Sequence, residues 1–265
     1  MTYCELQVTT HFSFLRGASS PQELFAQAAM MGMSALGITD RNSVAGVVQG
    51  LFASEQLAKQ GVAAPRSVNG CRLDLTDGTA LLVWPEDRDA WGRLTRLLSI
   101  GKNRADAQRG EKGQCFLHWD DVAMHAAGLV AALYPAPDAS VEQLALVADI
   151  FGERGHVCLT RHRRPGDALR IHRLDAAARR QGLQSIVTGD VLYHEPARHR
   201  LQDVVSAIRE KCTVDELGLK REGNAARHLQ SPQIMAQAFH HYPHALAAVE
   251  AVVERCSFSL RELNH

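Results

Sequence analysis

The chain has 265 residues, of which 46% are hydrophobic and 22% are charged, and its 29 basic residues equal its 29 acidic residues. This composition predicts a globular protein with a large core and argues against a generally cationic nucleic-acid binder. The sequence has no signal-peptide pattern and no apolar run of roughly 18 residues, so we expect a cytoplasmic protein without a membrane span. The six cysteines are scattered without a C-x-x-C pair, which predicts reduced thiols and argues against structural zinc.

Short apolar runs alternate with amphipathic helical patterns in the first half of the chain. Ser20, Pro21 and Glu23 have the types and spacing of a capping box, so we expect a helix there that ends near Gly32. The turn residues 76–78 predict a hairpin, and the polar stretch 105–113 predicts a mobile loop. Strands are predicted at residues 4–9, 35–39, 67–75 and 79–84, and further helices at 44–59 and 87–104.

The second half continues the alternation and then becomes helical. Strands are predicted at residues 128–133, 156–160 and 185–189, and helices at 140–151, 167–181 and 196–211. Ser231 and Tyr242, each followed by proline, predict the starts of two final helices. The alternation predicts an α/β fold with a mostly parallel sheet and helical crossovers.

Polar residues follow several predicted strands. Asp40 and Asp190 each come directly after one, as do Thr9 and the pair Arg161-His162. Parallel α/β folds place functional side chains at the carboxyl ends of their strands, so we expect these residues to converge at one barrel mouth. The alternative is that each aspartate only caps a helix or forms a turn.

Seven stretches spread over nearly the whole chain carry a family resemblance. They are Tyr3-Cys4-Glu5-Leu6, residues 12–19 (FSFLRGAS), 35–46 (ALGITDRNSVAG), 93–99 (RLTRLLS), 189–194 (GDVLYH), 201–209 (LQDVVSAIR) and 254–260 (ERCSFSL). Together they resemble the PHP (polymerase and histidinol phosphatase) domain, most closely that of bacterial C-family DNA polymerases, which are similar to the DNA polymerase III alpha subunit. The nearest branch is the error-prone, damage-inducible one.

The resemblance implies a distorted (β/α) barrel of about seven strands. It implies a single PHP domain over residues 1–265, with the barrel at about 1–212 and a helical segment at about 213–265. It also implies a polymerase core that this chain does not contain, within a DNA-directed DNA polymerase that acts in translesion synthesis and repair after DNA damage. The partners implied are that core, the sliding clamp, accessory proteins of mutagenesis and, through the whole polymerase, DNA.

Active members of the wider family bind zinc, manganese or iron and hydrolyse phosphoesters, some of them as 3'-5' exonucleases. Three of the ligand positions keep a residue that can bind metal: Asp40, His162 and Asp190. Five others do not match the family ligands: Gln7, Thr9, Arg41, Arg72 and Leu192. The resemblance therefore implies a vestigial pocket without catalytic residues and without a cofactor, in a domain that serves as a scaffold for the polymerase.

The guanidiniums of Arg41 and Arg72 remain charged at physiological pH and have no lone pair for a metal. At the barrel mouth they would repel a divalent cation. They would also bond the carboxylates of Asp40 and Asp190. We therefore expect an Arg–Asp network in place of the metal cluster.

Relocated ligation is the main alternative. His11 and His194 each lie two residues beyond a lost ligand position, which on a strand is an offset of about 6.6 Å. Because metal–nitrogen bonds of about 2.0–2.1 Å tolerate only small errors, the backbone would have to rearrange at both places. Such a site would hold zinc or manganese and support a phosphoesterase. A third interpretation is a free-standing interaction module without a polymerase.

The basic cluster of Arg161, Arg163 and Arg164 around His162 predicts either contact with a nucleic-acid backbone or a solvated face. On the second interpretation His162 is a solvated loop histidine. The three tryptophans are expected to anchor the core.

Overall fold

The computed structural model describes residues 3–109, 113–135 and 139–263. In this part of the chain eight strands form two sheets. The strands, β1 to β8 in chain order, are Glu5–Val8, Ala35–Ile38, Arg66–Asn69, Cys71–Asp74, Ala80–Pro85, Leu129–Tyr134, Gly155–Leu159 and Gln184–Val187.

The sheets meet edge to edge around one core. Strands β1, β2 and β3 form a parallel sheet, and β4 to β8 form the second sheet in chain order. In the second sheet β5 runs antiparallel to both β4 and β6, whereas the remaining pairs are parallel. Isolated bridges join Val8 to Val191 and Arg41 to Arg72 across the sheet edges. The predicted α/β fold with a distorted barrel is therefore confirmed, with two sheets in place of one closed sheet.

Helices cover the outside of the strands. They are α1 Pro21–Met30, α2 Ala45–Lys59, α3 Arg88–Arg109, α4 Trp119–His125, α5 Val141–Phe151, α6 Asp167–Arg180, α7 His199–Glu210, α8 Pro232–Ala238 and α9 Pro243–Arg255. The predicted capping box at α1 is confirmed, because Ser20 accepts from the amide of Glu23 while the Glu23 side chain accepts from the amide of Ser20. No described helix is both long and apolar enough to cross a bilayer.

Two local predictions were wrong and one was confirmed. Residues 67–75 form two strands, because the chain passes between the sheets at Gly70, where a Cβ would lie 2.7 Å from the Trp84 ring. Residues 105–109 continue α3, since Ala105 is fully buried, and residues 110–112 lie outside the described residues. The predicted hairpin joins β4 and β5 through Gly78, whose φ of 89° suits glycine. Helix α4 was not predicted from the sequence.

The last helices share the core of the barrel. Arg66 on β3 donates to the carbonyl oxygens of Val253 and Cys256, and Asn69 donates to that of Phe258 at 3.0 Å. Helix α9 packs on β8. Trp84 and Trp91 are buried as expected, whereas Trp119 is half-buried.

Candidate functional site

Asp190 lies at the barrel mouth three residues after the end of β8 at Val187, in a left-handed conformation with φ of 49° that aspartate tolerates better than most residues. Its carboxylate is 1% exposed. Oδ1 accepts from Gln7 Nε2 at 3.0 Å, and Oδ2 accepts from the Tyr134 hydroxyl at 2.7 Å. The guanidinium of Arg227 approaches Oδ2 at 2.6 Å, and His162 Nε2 lies 3.2 Å away at an ion-pair distance without good hydrogen-bond alignment. A buried acid is thus surrounded by donors.

The electrostatic surroundings keep Asp190 ionised. Burial by itself raises the pKa of this carboxyl group, but Arg227, His162 and Arg72 outweigh it and hold the pKa well below its usual range. The pKa of Arg227 is raised in turn, because Asp190, Tyr134 and Glu222 outweigh the effect of its burial. The pair is therefore a buried ion pair at neutral pH.

Arg227 is fixed by several contacts. Its Nε donates to the Asp190 carbonyl at 3.0 Å, and its Nη1 donates to Glu222 at 3.1 Å. Its own carbonyl accepts from the amide of Leu192 at 2.9 Å. No sequence pattern indicates this arginine, because it lies in an irregular segment between α7 and α8 without periodicity.

Asp40, after β2, is also fully buried but has no cationic partner among the contacts of the described residues. Its Oδ1 accepts from the Thr10 amide at 2.8 Å and from the Ser13 hydroxyl at 2.8 Å, and Oδ2 accepts from the Thr10 hydroxyl at 2.8 Å. A Cβ on Gly46, in the first turn of α2, would overlap Oδ2. Burial raises the pKa of Asp40 despite these hydrogen bonds.

An Arg–Asp network is present, but the prediction that Arg41 and Arg72 pair with Asp40 and Asp190 was wrong. Arg41 and Arg72 both form ion pairs with Asp74 on β4, and Arg72 Nε does so at 2.8 Å. The two arginines are neighbours because their backbones form the bridge between the sheets, which aims both guanidiniums at the same carboxylate. The Arg72 guanidinium also lies over the Tyr134 ring, 4.8 Å from its centroid.

Glu5 is a third buried acid at this site, and it was not predicted as a site residue from the sequence. It accepts from the Tyr3 hydroxyl at 2.6 Å and from the amides of Gln7 at 2.8 Å and Gly189 at 2.9 Å. Burial raises its pKa to about 7, although these hydrogen bonds oppose the rise. A Cβ on Gly189 would overlap Glu5 Oε2, so the carboxyl group fills the space that glycine leaves.

Two other positions where the sequence predicts lost metal ligands line a cavity of about 230 Å³ beside Asp190. Thr9 and Leu192 contribute to its wall, together with Tyr134 and several basic side chains. A larger cavity of about 660 Å³ lies on the other side of Tyr134 and Arg227 and includes His162.

The two histidines considered for relocated ligation point to other partners. His11 is exposed and stacks on Phe12, with ring centroids 4.7 Å apart. His194 Nδ1 lies 2.8 Å from the Ser19 hydroxyl, and Nε2 lies 3.8 Å from Glu195. Within residues 3–109, 113–135 and 139–263, no group of three or more histidine, cysteine or acidic residues could hold a metal ion.

The basic cluster after β7 divides between two surfaces. Arg161 and Arg163 are exposed and line a cavity near α8, whereas Arg164 pairs with Glu222 at 2.7 Å. His162 is 12% exposed and faces Asp190, so the structure places it at the barrel mouth and not in solvent.

Comparisons with known proteins identify the family of this chain. The sequence profile of the PHP domain family matches residues 5–194. The chain belongs to the PHP domain family. It is 51% identical over 265 residues to error-prone DNA polymerase 2 of Rhizobium meliloti, a match that covers 99% of this chain and 23% of that protein. The chain thus spans about a quarter of the length of the curated relatives it matches.

Two solved structures share the fold at low sequence identity. A proposed metal-dependent phosphoesterase from Bifidobacterium adolescentis aligns with a TM-score of 0.53 at 17% identity, over 71% of this chain and 87% of that one. An amidohydrolase from Chromobacterium violaceum, with bound sulfate and no metal, aligns with a TM-score of 0.51 at 14% identity, over 72% of this chain and 88% of that one.

Proposed function

We propose that this chain is the non-catalytic PHP domain of an error-prone DNA polymerase, in which the Arg227–Asp190 ion pair takes the place of a bound metal. The observation that carries the proposal is the 2.6 Å approach of the Arg227 guanidinium to the carboxylate of Asp190. The similarity to an error-prone DNA polymerase supports the wider part of the proposal, in which the whole protein carries out synthesis past damaged DNA in the cytoplasm.

The donors around Asp190 do not fit a metal. Gln7, Tyr134 and Arg227 all donate to its carboxylate, so the lone pairs that would bind a cation are already used. A divalent ion would have to displace a buried guanidinium that cannot lose its charge at physiological pH. Asp40 is likewise occupied, by Thr10 and Ser13.

A scaffold role is supported by an apolar face that this chain leaves exposed. Leu201, Val204 and Ile208 on α7 are 40%, 44% and 57% exposed and lie at helical spacing on one side. Leu219, in the segment after α7, is fully exposed. Because the curated relative continues well beyond the matched region, we assign this face to the polymerase core of the same longer protein. The sliding clamp, accessory proteins of mutagenesis and DNA are partners of that whole protein in the proposal.

The test measures metal content and hydrolysis in the same sample. Purified chain is incubated with excess manganese or zinc, desalted, analysed for bound metal, and assayed with a simple phosphate ester. We expect far less than one metal per chain and no hydrolysis above background. Near-stoichiometric metal together with hydrolysis would overturn the proposal in favour of a metal-dependent phosphoesterase.

Asp190→Asn is the matched control. Metal that remains bound to this variant lies elsewhere on the surface, so it does not contradict the proposal. Metal bound by the unmodified chain and lost in Asp190→Asn would contradict it, because the ion would then depend on the carboxylate that we assign to Arg227.

A further inference from the structure

A cavity of about 440 Å³ beside α8 has an apolar wall and a basic wall. The apolar wall consists of side chains from α8 and the residue that follows it, namely Ile234, Met235, Ala238 and Phe239. The basic wall is formed by Arg161 and Arg163 in the loop after β7. The described residues of the lining include no acidic side chain, so the cavity combines apolar surface with a net positive charge.

The fold of the loop after β7 brings these two arginines to the same side. Asp167 Oδ2 accepts from the amide of His162 at 2.9 Å and from the amide of Arg164 at 3.1 Å. Arg163 lies between them with a φ of 56°, so the loop bends sharply there. His162 and Arg164 line the cavity of about 660 Å³. Arg161 and Arg163 line the cavity beside α8.

Neither arginine of the basic wall has a counter-ion in the part of the chain that the structure describes. Their guanidiniums form no hydrogen bond and no ion pair with any of residues 3–109, 113–135 and 139–263. Arg164, by contrast, is paired with Glu222. Both Arg161 and Arg163 are exposed, so an anion can reach them without the cost of burying an unpaired charge.

Gln230 adds a hydrogen-bond acceptor to the cavity wall. The residue is 7% exposed, and its Nε2 donates to the Ala226 carbonyl at 3.2 Å. Its Oε1 is buried and accepts no hydrogen bond from the described residues. Because a buried acceptor without a partner is destabilising, a ligand that brings an N–H group to this wall would gain a hydrogen bond. The walls therefore favour a ligand with a negative charge, an apolar part and an N–H donor.

We propose that this cavity binds the C-terminus of a polypeptide that ends in an apolar residue. The last residue of such a chain carries all three groups side by side: a carboxylate, an apolar side chain and a backbone N–H. A volume of about 440 Å³ lies within the range of about 300–1,000 Å³ that is typical of small-ligand sites. The cavity therefore accommodates the end of an extended chain and not a folded helix.

Each wall has its own part in this recognition. Arg161 and Arg163 bind the carboxylate, because planar guanidiniums match the two oxygens of a carboxylate. The apolar side chain packs on Ile234, which is 44% exposed on α8. The N–H of the last residue donates to Gln230.

The experiment measures fluorescence anisotropy of labelled peptides mixed with the 265-residue chain. The probe is a fluorescein-labelled peptide, Gly-Ser-Gly-Ser-Gly-Leu, with a free carboxylate, and its partner is the same peptide with a C-terminal amide. We expect the free acid to bind with one peptide per chain and about tenfold or more tightly than the amide, because the amide lacks the charge that the arginines bind. A second pair of peptides ends in phenylalanine.

Variants assign the binding to this cavity. Arg163→Gln and Arg161→Gln should each weaken binding of the free acid about tenfold. Arg96→Gln is the matched control, since it removes one positive charge from an exposed position on α3 outside the cavity, and it should change binding by about twofold or less. Ile234→Ser should weaken the leucine peptide about fivefold and leave a peptide that ends in glycine unchanged.

Several results would overturn the proposal. Equal binding of the acid and the amide, or of Arg163→Gln and Arg96→Gln, would show that the carboxylate is not recognised here. Displacement of the labelled peptide by a single-stranded oligonucleotide or inorganic phosphate at a lower concentration than by unlabelled peptide would assign the arginines to phosphate groups instead. Absence of binding by both the leucine and the phenylalanine peptides would also overturn it. If Arg163→Gln does not fold, Arg161→Gln and the comparison of acid with amide still decide the outcome.

This inference goes beyond the proposed function and can fail separately from it. The cavity beside α8 contains neither Arg227 nor Asp190. Metal bound at Asp190 would overturn the proposed function and leave the peptide site standing.

Discussion

Asp190 and Asp40 both follow a strand of the barrel and both are buried, yet their surroundings differ. Asp190 is in contact with the guanidinium of Arg227, and its pKa is lowered. Asp40 accepts hydrogen bonds from Thr10 and Ser13, and its pKa is raised. Two acids at one barrel mouth are thus stabilised differently, Asp190 by a cation and Asp40 by amide and hydroxyl donors.

The difference shows that a buried carboxylate at the barrel mouth can be accommodated in two ways by its local surroundings. An ionised buried carboxylate needs either a cation or several donors, because burial without compensation costs several kcal/mol. At Asp190 the chain supplies an arginine, and at Asp40 it supplies hydroxyl and amide groups. The two arrangements therefore predict different effects of substitution and of pH on the stability of the chain.

Removing the cation should have the largest effect. Arg227→Met leaves the carboxylate of Asp190 buried without its ion-pair partner, and we expect the free energy of unfolding to fall by about 3–5 kcal/mol. Urea unfolding followed by circular dichroism measures this change.

Two further variants serve as controls for Arg227→Met. The double variant Arg227→Met/Asp190→Asn should recover part of the loss, because it removes the uncompensated charge. Arg261→Gln breaks an exposed pair with Glu55 that solvent screens, so it should change the free energy of unfolding little. If Arg227→Met costs no more than Arg261→Gln, the ion pair does not stabilise the barrel mouth.

Glu5 extends the comparison to pH. Its pKa is raised from 4.5 to about 7, so its contribution to stability is fully present below pH 4.5 and is lost as the pH rises through 7. Glu5→Gln removes this dependence, and its stability relative to the unmodified chain should rise by up to about 3 kcal/mol between pH 4.5 and 8.

For Asp190→Asn, the pH dependence of stability relative to the unmodified chain should have the opposite sign. The lowered pKa of Asp190 contributes stability above its unfolded value, near 3.8, and this contribution is lost as the pH falls below it. The penalty of Asp190→Asn should therefore be larger at pH 6 than at pH 3 in thermal melts. A penalty for both variants that does not change with pH would show that neither acid titrates as described.

Adding a methyl group beside Asp40 should lower the free energy of unfolding by less than removing Arg227. Gly46→Ala places a methyl group against Oδ2 of Asp40 and 2.9 Å from the Thr10 hydroxyl, and we expect a loss of about 1–3 kcal/mol. Gly92→Ala, at an open position of α3, should instead stabilise the chain by about 0.5–1 kcal/mol. Thermal melts that rank Gly46→Ala as equal to or more stable than Gly92→Ala would contradict the tight packing of Asp40.

Removing either arginine that pairs with Asp74 should have the smallest effect on the free energy of unfolding. Arg41→Gln leaves Arg72 to neutralise the carboxylate, which is itself 22% exposed, so the loss should be about 1 kcal/mol or less. Arg72→Gln should cost somewhat more, about 1–2 kcal/mol, because it also removes the contact with the Tyr134 ring. The reverse order in chemical unfolding would show that the ring contact is not stabilising.

Much of the fold could be predicted because it depends on local patterns. The capping box at Ser20 and the hairpin turn at Gly78 require particular residue types, and both were visible in the sequence. The break at Gly70 could not be predicted, since it depends on the approach of Trp84 from a distant strand. The course of α3 through residues 105–109 was missed because tertiary burial of Ala105 outweighs a polar local sequence.

The site was predictable only in outline. The sequence placed Asp40, His162 and Asp190 at strand ends, and the structure brings His162 to Asp190. The cation on Asp190 comes instead from Arg227, in an irregular segment where no periodicity indicates which way a side chain points. Arg41 and Arg72 were predicted to replace metal ligands and to pair with Asp40 and Asp190. The bridge between their backbones, which turns both towards Asp74, could not be predicted because it depends on how the two sheets meet.

The most direct test of the central claim is anomalous diffraction from crystals of the chain grown with excess manganese. We predict no manganese peak within coordination distance of the Asp190 carboxylate and a guanidinium of Arg227 that still contacts Oδ2. A manganese peak bound to Asp190, with Arg227 displaced, would contradict the account.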